Sequence, residues 1–301
     1  MQLNNLCDRL NEYKIEYICD EPMNRHTTFK IGGNADVFIK IRTEQELKTV
    51  IRLAKEFDAP YFILGKGSNL LVSDKGIDGL VISLDGIDDI VIDGDEIVCG
   101  AGANLKNVCL AARDASLSGL EFAYGIPGSV GGALYMNAGA YGGEMSQVTV
   151  SAVAIDGDGN DIEFSLPDMN LGYRTSVFKN TNLTIVKVTL KLKQGDANEI
   201  KTKMEDFLTR RRDKQPLEFA SAGSTFKRPE GYFSGALIEK NNLKGVTIGG
   251  AQVSCKHAGF VINTGNATCD DVLSLIKKVQ DTVKATDDVY LEPEVIFVGR
   301  K

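Results

Sequence analysis

The sequence predicts an α+β protein built in two parts, and three observations carry that expectation. At 301 residues, with 43% hydrophobic and 25% charged, the chain can bury more than one core. Its early part reads β–α–β. Ala35–Ile41 alternates like a strand, Leu47, Val50, Ile51, Ala54 and Phe57 recur at helical spacing, and Tyr61–Leu64 is a short apolar run. Near Gly195 the pattern restarts, and a second α+β unit follows.

The elements follow in order. Residues 4–15 form a short amphipathic helix with Leu6, Leu10 and Tyr13 on one side. Thr43 and Glu46 spell a capping box, and Pro60 ends that helix. Ile77–Glu96 holds seven acidic residues and no basic one, and reads as short strands with solvated faces. Ile97–Cys99 is a strand. Asn104 caps a helix carrying Leu105, Val108 and Ala112. Val148–Ile155, Ile162–Phe164 and Val186–Leu192 are strands. Asp196 and Glu199 open a helix with Ile200, Met204, Phe207 and Leu208 inward. It ends in the basic run Arg210–Lys214, which suits the helix dipole. Short elements lie at Ala236–Asn241, Val246–Ile248 and Gly259–Ile262. Thr268 caps a helix over Cys269–Thr286. Val289–Val298 closes the chain as a strand that Pro293 interrupts.

Two stretches hold the most chemistry. Gly125–Gly143 has seven glycines in nineteen residues and no charge. Pro127-Gly128-Ser129 reads as a turn into a short helix capped by Ser129. The free N–H groups of such a helix start suit a phosphate. Gly131 and Gly132 would let it press against a sheet or a flat ring. A tightly packed glycine turn with no ligand fits the same residues. The second stretch is Gly65-Lys-Gly-Ser-Asn69. Its order is wrong for a P-loop, and Leu70 stands where a Rossmann fingerprint needs its third glycine. What remains is a hairpin turn, or a nest of backbone N–H groups for a pyrophosphate.

Net charge is −7, which argues against a general nucleic-acid or acidic-membrane binder. The six cysteines are scattered and only His26 and His257 are present, so no metal site is expected and the thiols read as buried and free. No apolar run reaches membrane length, and the first residues lack a signal-peptide core. A cytoplasmic location follows as the expectation.

Taken together, Thr28–Gly33, Leu64–Leu71, Gly125–Gly132, Asn137–Gly142, Gly172-Tyr-Arg174, Ala222–Ser224 through Pro229, Gly249–Ala251 and Leu291–Val295 resemble the UDP-N-acetylenolpyruvoylglucosamine reductases. The pieces run in order over nearly the whole chain. The resemblance implies a vanillyl-alcohol-oxidase-type FAD-binding domain of two α/β subdomains over residues 1–195. A C-terminal α+β substrate domain would span 196–289, and the terminal strand 290–301 would rejoin the first domain. FAD would be held noncovalently and NADPH would be the co-substrate. NADPH would reduce the flavin, which would pass the hydride to the vinyl carbon distant from the substrate carboxylate. The product would be UDP-N-acetylmuramate for peptidoglycan, and the protein would be a monomer.

The same resemblance implies the site. Gly65, Lys66, Gly67, Ser68 and Asn69 would bind the cofactor, together with Gly125, Ile126, Pro127, Gly128, Ser129, Gly131 and Gly132, and then Asn137, Ala138 and Gly139. Arg174 would meet the substrate carboxylate, Ser224 would give the proton, and Glu294 would order that region. Lys214, Lys227, Arg228 and His257 would contact the sugar nucleotide. Arg228 and His257 stand where some relatives have asparagine and glutamine. Arg174 runs directly on to the Val186 strand, as in a shorter form without a tyrosine-bearing lid loop. A flavin oxidase of the same fold and a flavin-free nucleotide-sugar binder are the competing readings.

Overall fold

The structure, a computed structural model, describes residues 2–301. Helix α1 (Gln2–Glu12) buries Leu6 and Leu10 completely. Tyr13, expected on the same face, lies past the helix end and is 53% exposed. Strands β1 (Tyr17–Pro22) and β2 (Asn34–Lys40) follow. Helix α2 (Glu44–Glu56) is capped by Thr43, whose Oγ1 accepts the Glu46 N–H at 3.1 Å. The return bond falls one residue outside the expected box: the Glu46 carboxylate takes the Arg42 N–H at 2.7 Å. Leu47, Val50, Ile51 and Ala54 are buried, as their spacing requires.

Three short strands come next: β3 (Tyr61–Leu64), β4 (Leu70–Val72) and β5 (Ile77–Ser83). β3 pairs in parallel with β5, within a sheet of order β1-β2-β5-β3. β4 joins a different ladder, so the Gly65–Asn69 loop is not a hairpin turn. β6 (Ile90–Asp93) and β7 (Glu96–Gly100) precede helix α3 (Leu105–Asp114), where Asn104 Oδ1 accepts the Lys106 N–H at 3.0 Å. After β8 (Leu117–Ser118) comes the short helix α4 (Val130–Tyr135). β9 (Gly139–Ala140) and β10 (Gly143–Glu144) form a tight hairpin. β11 (Thr149–Ile155), β12 (Asp161–Ser165), β13 (Thr184–Lys191) and β14 (Lys193–Gln194) complete the strand-rich part. An antiparallel sheet of order β12-β11-β13-β7-β6 results, and α4 packs on β13 and β7.

Helix α5 (Ala197–Lys214) starts after Asp196, whose carboxylate accepts the N–H groups of Asn198 and Glu199 at 2.9 and 3.0 Å. β15 (Ala220–Ser221), α6 (Ser234–Lys240), β16 (Thr247–Ile248), β17 (Ala251–Val253) and β18 (Val261–Asn263) follow. These strands make a sheet of order β15-β18-β17-β16. Helix α7 (Cys269–Asp287) covers it with Val272, Leu275, Ile276, Val279 and Val283, all buried. Each such side chain contributes about 1.5–3 kcal/mol of transfer free energy. Thr268 and Asp271 close a reciprocal capping box, and Asp74 adds a second cap by accepting the N–H groups of Cys269 and Asp270 at 2.8 and 3.1 Å.

The expected closing strand is shorter than the sequence pattern. Only β19 (Ile296–Val298) is a strand, and it pairs in parallel with β4. Pro293 cannot donate to a ladder, and it takes part only in an isolated antiparallel bridge with Phe226.

The chain forms two compact units: residues 1–19, 37–66 and 79–210, and residues 20–36, 67–78 and 211–301. It passes from one to the other inside β1, β2, β5 and α5 and in the Gly65–Asn69 loop. Each unit has its own core. Leu47, Ile82, Val108, Leu134 and Val188 belong to the first; Phe29, Leu71, Phe226, Leu237 and Leu275 belong to the second. Of the cysteines, Cys99, Cys109 and Cys269 are buried as expected, and burial pushes Cys99 up to about 12. Cys19 and Cys255 are exposed, contrary to expectation. Among the described residues no helix is long and apolar enough to cross a membrane.

Candidate active site

In the first unit, the two glycine-rich stretches meet. A β-carbon on Gly65 would lie 2.7 Å from Ser129 Oγ. Ser129 caps α4 as expected, its Oγ accepting the Gly132 N–H at 3.3 Å. The other N–H groups of that helix start are not free. Val130 N–H donates to Ala103 O and Gly131 N–H to Ala101 O, each at 2.9 Å. The expectation of open phosphate donors at Val130–Gly132 is therefore corrected: those amides hold α4 against the turn after β7. Gly131 is required there, because a β-carbon would sit 2.7 Å from Ala101 Cβ. Gly132 differs, since its added β-carbon would meet only its own cap, Ser129 Oγ, at 3.3 Å. Bare backbone of this kind suits a flat ring. The residues fit a bound flavin on that ground, with the backbone of Gly65 beside the same cap.

The loop that follows Gly65 is built from fixed contacts. Lys66 Nζ pairs with Asp85 Oδ1 at 2.8 Å. Gly67 has φ of +60°, and its carbonyl accepts the Thr28 N–H at 3.2 Å. A β-carbon there would strike His26 O at 2.0 Å, so only glycine fits. Asn69 Nδ2 donates to Glu294 O at 3.1 Å.

Asn137 is buried, 1% exposed, with φ of +41°. Its Oδ1 accepts the Ser146 N–H at 2.9 Å and its Nδ2 donates to Gly172 O at 3.0 Å. Ala138 N–H donates to Ala133 O at 2.8 Å, and Gly139 lies in β9. Gly172 and Thr175 exchange both backbone hydrogen bonds, at 3.1 and 3.2 Å, so Tyr173 and Arg174 are the two residues of a tight turn. Arg174 has φ of +55°, the left-handed region that an arginine adopts at a cost of about 1–2 kcal/mol. Its guanidinium lies 5.2 Å from the Tyr173 ring centre and reaches Gly139 O at 3.5 Å. Lys179 Nζ donates to Arg174 O at 3.2 Å. Lys179 escaped the sequence reading, which saw no pattern linking it to the turn.

In the second unit, Ser224 and Glu294 occupy paired segments. Glu294 N–H donates to Thr225 O at 2.8 Å, and Lys227 N–H donates to Glu292 O at 2.9 Å. Ser224 Oγ donates to Phe226 O at 3.3 Å. The two nearby glutamates differ in environment: Glu292 is exposed and pairs with Lys227 Nζ at 2.5 Å, whereas Glu294 is half-buried. Arg228 stacks its guanidinium 4.0 Å over the Phe233 ring centre, and its Nε donates to Tyr232 O at 3.3 Å.

His257 Nδ1 accepts the Gly259 N–H at 3.1 Å, so the neutral ring carries its proton on Nε2. Burial first, and the charges of Lys244 and Lys214 with it, hold this imidazole below its ordinary value. A β-carbon on Gly259 would lie 3.0 Å from His257 Cε1 and 3.7 Å from Ser224 Oγ, so glycine separates the two side chains. Lys214 is exposed at the end of α5.

The glycine-lined backbone surface of the first unit, and the serine, carboxylate and cations of the second, suit an FAD-binding enzyme. Residues 35–165 match the family model "FAD binding domain", and residues 215–298 match "UDP-N-acetylenolpyruvoylglucosamine reductase, C-terminal domain". The chain is 50% identical over 284 residues to the UDP-N-acetylenolpyruvoylglucosamine reductase of Clostridium botulinum strain Hall, covering 94% of this chain and 93% of that protein. It is 48% identical over 281 residues to that of Clostridium perfringens strain SM101, covering 93% and 92%. The crystal structure of the Thermus caldophilus enzyme of the same name superposes with a TM-score of 0.81 at 34% identity, over 94% of this chain and 98% of that one. The chain belongs to the UDP-N-acetylenolpyruvoylglucosamine reductase family. Its fold is that of this family, an FAD-binding part followed by a C-terminal α+β part.

Proposed function

We propose that this protein reduces the enolpyruvyl ether of UDP-N-acetylenolpyruvoylglucosamine to UDP-N-acetylmuramate, using NADPH, in the cytoplasm and as a monomer. The observation that carries the reading is likeness to reductases of that name along both units, at 50% identity over 94% of the chain. FAD, when bound, supplies the hydride that it has received from NADPH.

The remaining work falls to side chains. Arg174 presents a planar fork to the substrate carboxylate and stabilises the negative charge that develops beside it. Ser224 gives its hydroxyl proton to the carbon next to that carboxylate. Its existing bond to Phe226 O, 3.3 Å long, is weak and easily exchanged for a substrate contact. Glu294, fixed by the Thr225 pairing and by Asn69 on its carbonyl, orders the carboxylate end. Lys214, Lys227 and Arg228 face the diphosphate, and the Nε2–H of neutral His257 donates to the sugar nucleotide. The functional division runs as 1–195 with 290–301 for the flavin and 196–289 for the substrate. Gly65–Asn69 and Gly125–Gly132 line the cofactor, with Asn137–Gly139 beside them.

The test is an anaerobic absorption titration. Flavin bands should bleach with NADPH and return on adding the enolpyruvyl sugar nucleotide. Bands indifferent to NADPH would shift the reading to an oxidase. A colourless protein that takes up no FAD would end the flavoenzyme reading.

A further inference from the structure

The turn that carries Arg174 does not hold itself. Gly172 O already accepts the Thr175 N–H at 3.2 Å, and the same carbonyl accepts Asn137 Nδ2 at 3.0 Å. The Asn137 amide cannot be reversed, because its Oδ1 is fixed by the Ser146 N–H at 2.9 Å. A second tether lies just past the turn, where Ser176 Oγ donates to Tyr135 O at 2.7 Å. Both anchors sit at the C-terminal end of α4, and both reach a strained turn 35 to 41 residues further along the chain. An arginine at φ of +55° persists only where its surroundings over-determine it.

We propose that Asn137 is a positioning residue for the reduction: its side chain serves the Arg174 turn rather than the cofactor, with Ser176 as its second support. The proposal rests on the reductase reading for its kinetic arm only. Asn137 acts through Arg174 by fixing where the guanidinium meets the substrate carboxylate. Displacement of such a group by about 1 Å can cost roughly 100-fold in rate.

The experiment uses the FAD-loaded full chain and the variant Asn137→Asp. Aspartate keeps the acceptor for Ser146 but sets an oxygen against Gly172 O, and it tolerates the left-handed conformation. Hydrogen exchange at the Thr175 amide, read without turnover, should quicken about tenfold or more as the turn loosens. The kcat/KM for the enolpyruvyl nucleotide should fall about 10- to 100-fold. In an Arg174→Ala background the same change should cost less than about threefold, because residues acting as a unit are not additive. Unchanged Thr175 exchange, or an equal loss in both backgrounds, overturns the proposal. If N137D fails to fold, Ser176→Ala carries the same cycle, with the same outcomes deciding. If the unaltered protein does not reduce the enolpyruvyl nucleotide, the function reading fails, and Thr175 exchange still judges the tether.

Discussion

The Arg174 turn and the Ser224–Glu294 pair present functional groups in opposite ways. Arg174 sits in a left-handed conformation that a buried asparagine and a serine hold from a distance. Ser224 and Glu294 stand on ordinary backbone pairing, with Thr225 O and Lys227 N–H meeting the 292–294 segment. The first arrangement stores strain and depends on side chains. The second stores none and depends on register. Substitutions at the first should therefore trade activity against stability, whereas at the second they should change activity and leave stability as it was.

The largest effect should come from Ser224→Ala. Loss of the proton donor should slow reoxidation of the reduced enzyme by substrate about 10²–10⁴-fold, with folding stability unchanged, as read by stopped-flow absorbance and thermal melting. Arg174→Gly should slow the same step about 10²–10³-fold. It should also raise stability by about 0.5–1 kcal/mol, since glycine relieves the left-handed strain and gives back part of that in chain entropy. A drop in melting temperature would erase the contrast between the two regions. Glu294→Gln should cost more in kcat than Glu292→Gln, whose exposed carboxylate faces only Lys227; steady-state kinetics on the pair decide it.

Two smaller effects concern the units that carry these groups. Asp74→Ala removes both N–H acceptors at the start of α7 and should cost about 0.5–2 kcal/mol in denaturant unfolding. Glu121 is 3% exposed in the first unit. Burial pushes its carboxyl up, but the Ser118 hydroxyl, backbone N–H groups and Lys203 together hold it below the usual range. A carboxyl lowered by folding stabilises above its unfolded value, about 4.3, and that share is lost as pH falls through the lower folded value. Glu121→Gln should flatten the acid limb of a stability-versus-pH curve.

Elements with strong local codes were legible in the sequence. Thr43, Asn104, Ser129, Asp196 and Thr268 all cap the helices they were expected to cap. The glycine pattern also marked the stretch that meets the Gly65 loop. What stayed hidden was long-range. Nothing local tells that the N–H groups of Val130 and Gly131 are taken by Ala103 and Ala101. Nothing near Leu70 announces a partner at Ile296. Asn137 enters the expected cofactor set through the family resemblance alone. Its side chain's destination, Gly172, lies beyond the β9–β10 and β11–β12 hairpins.

The β4–β19 ladder has a consequence for biosynthesis. Leu70 must wait for Ile296, 226 residues later, before its backbone is paired. At roughly 5–20 residues per second of translation, that wait lasts about 11–45 s. Through that interval the apolar run Leu70-Leu71-Val72 lacks its ladder partner on the nascent chain. Slow synthesis should therefore demand chaperone cover for the second unit long before its last helix is made.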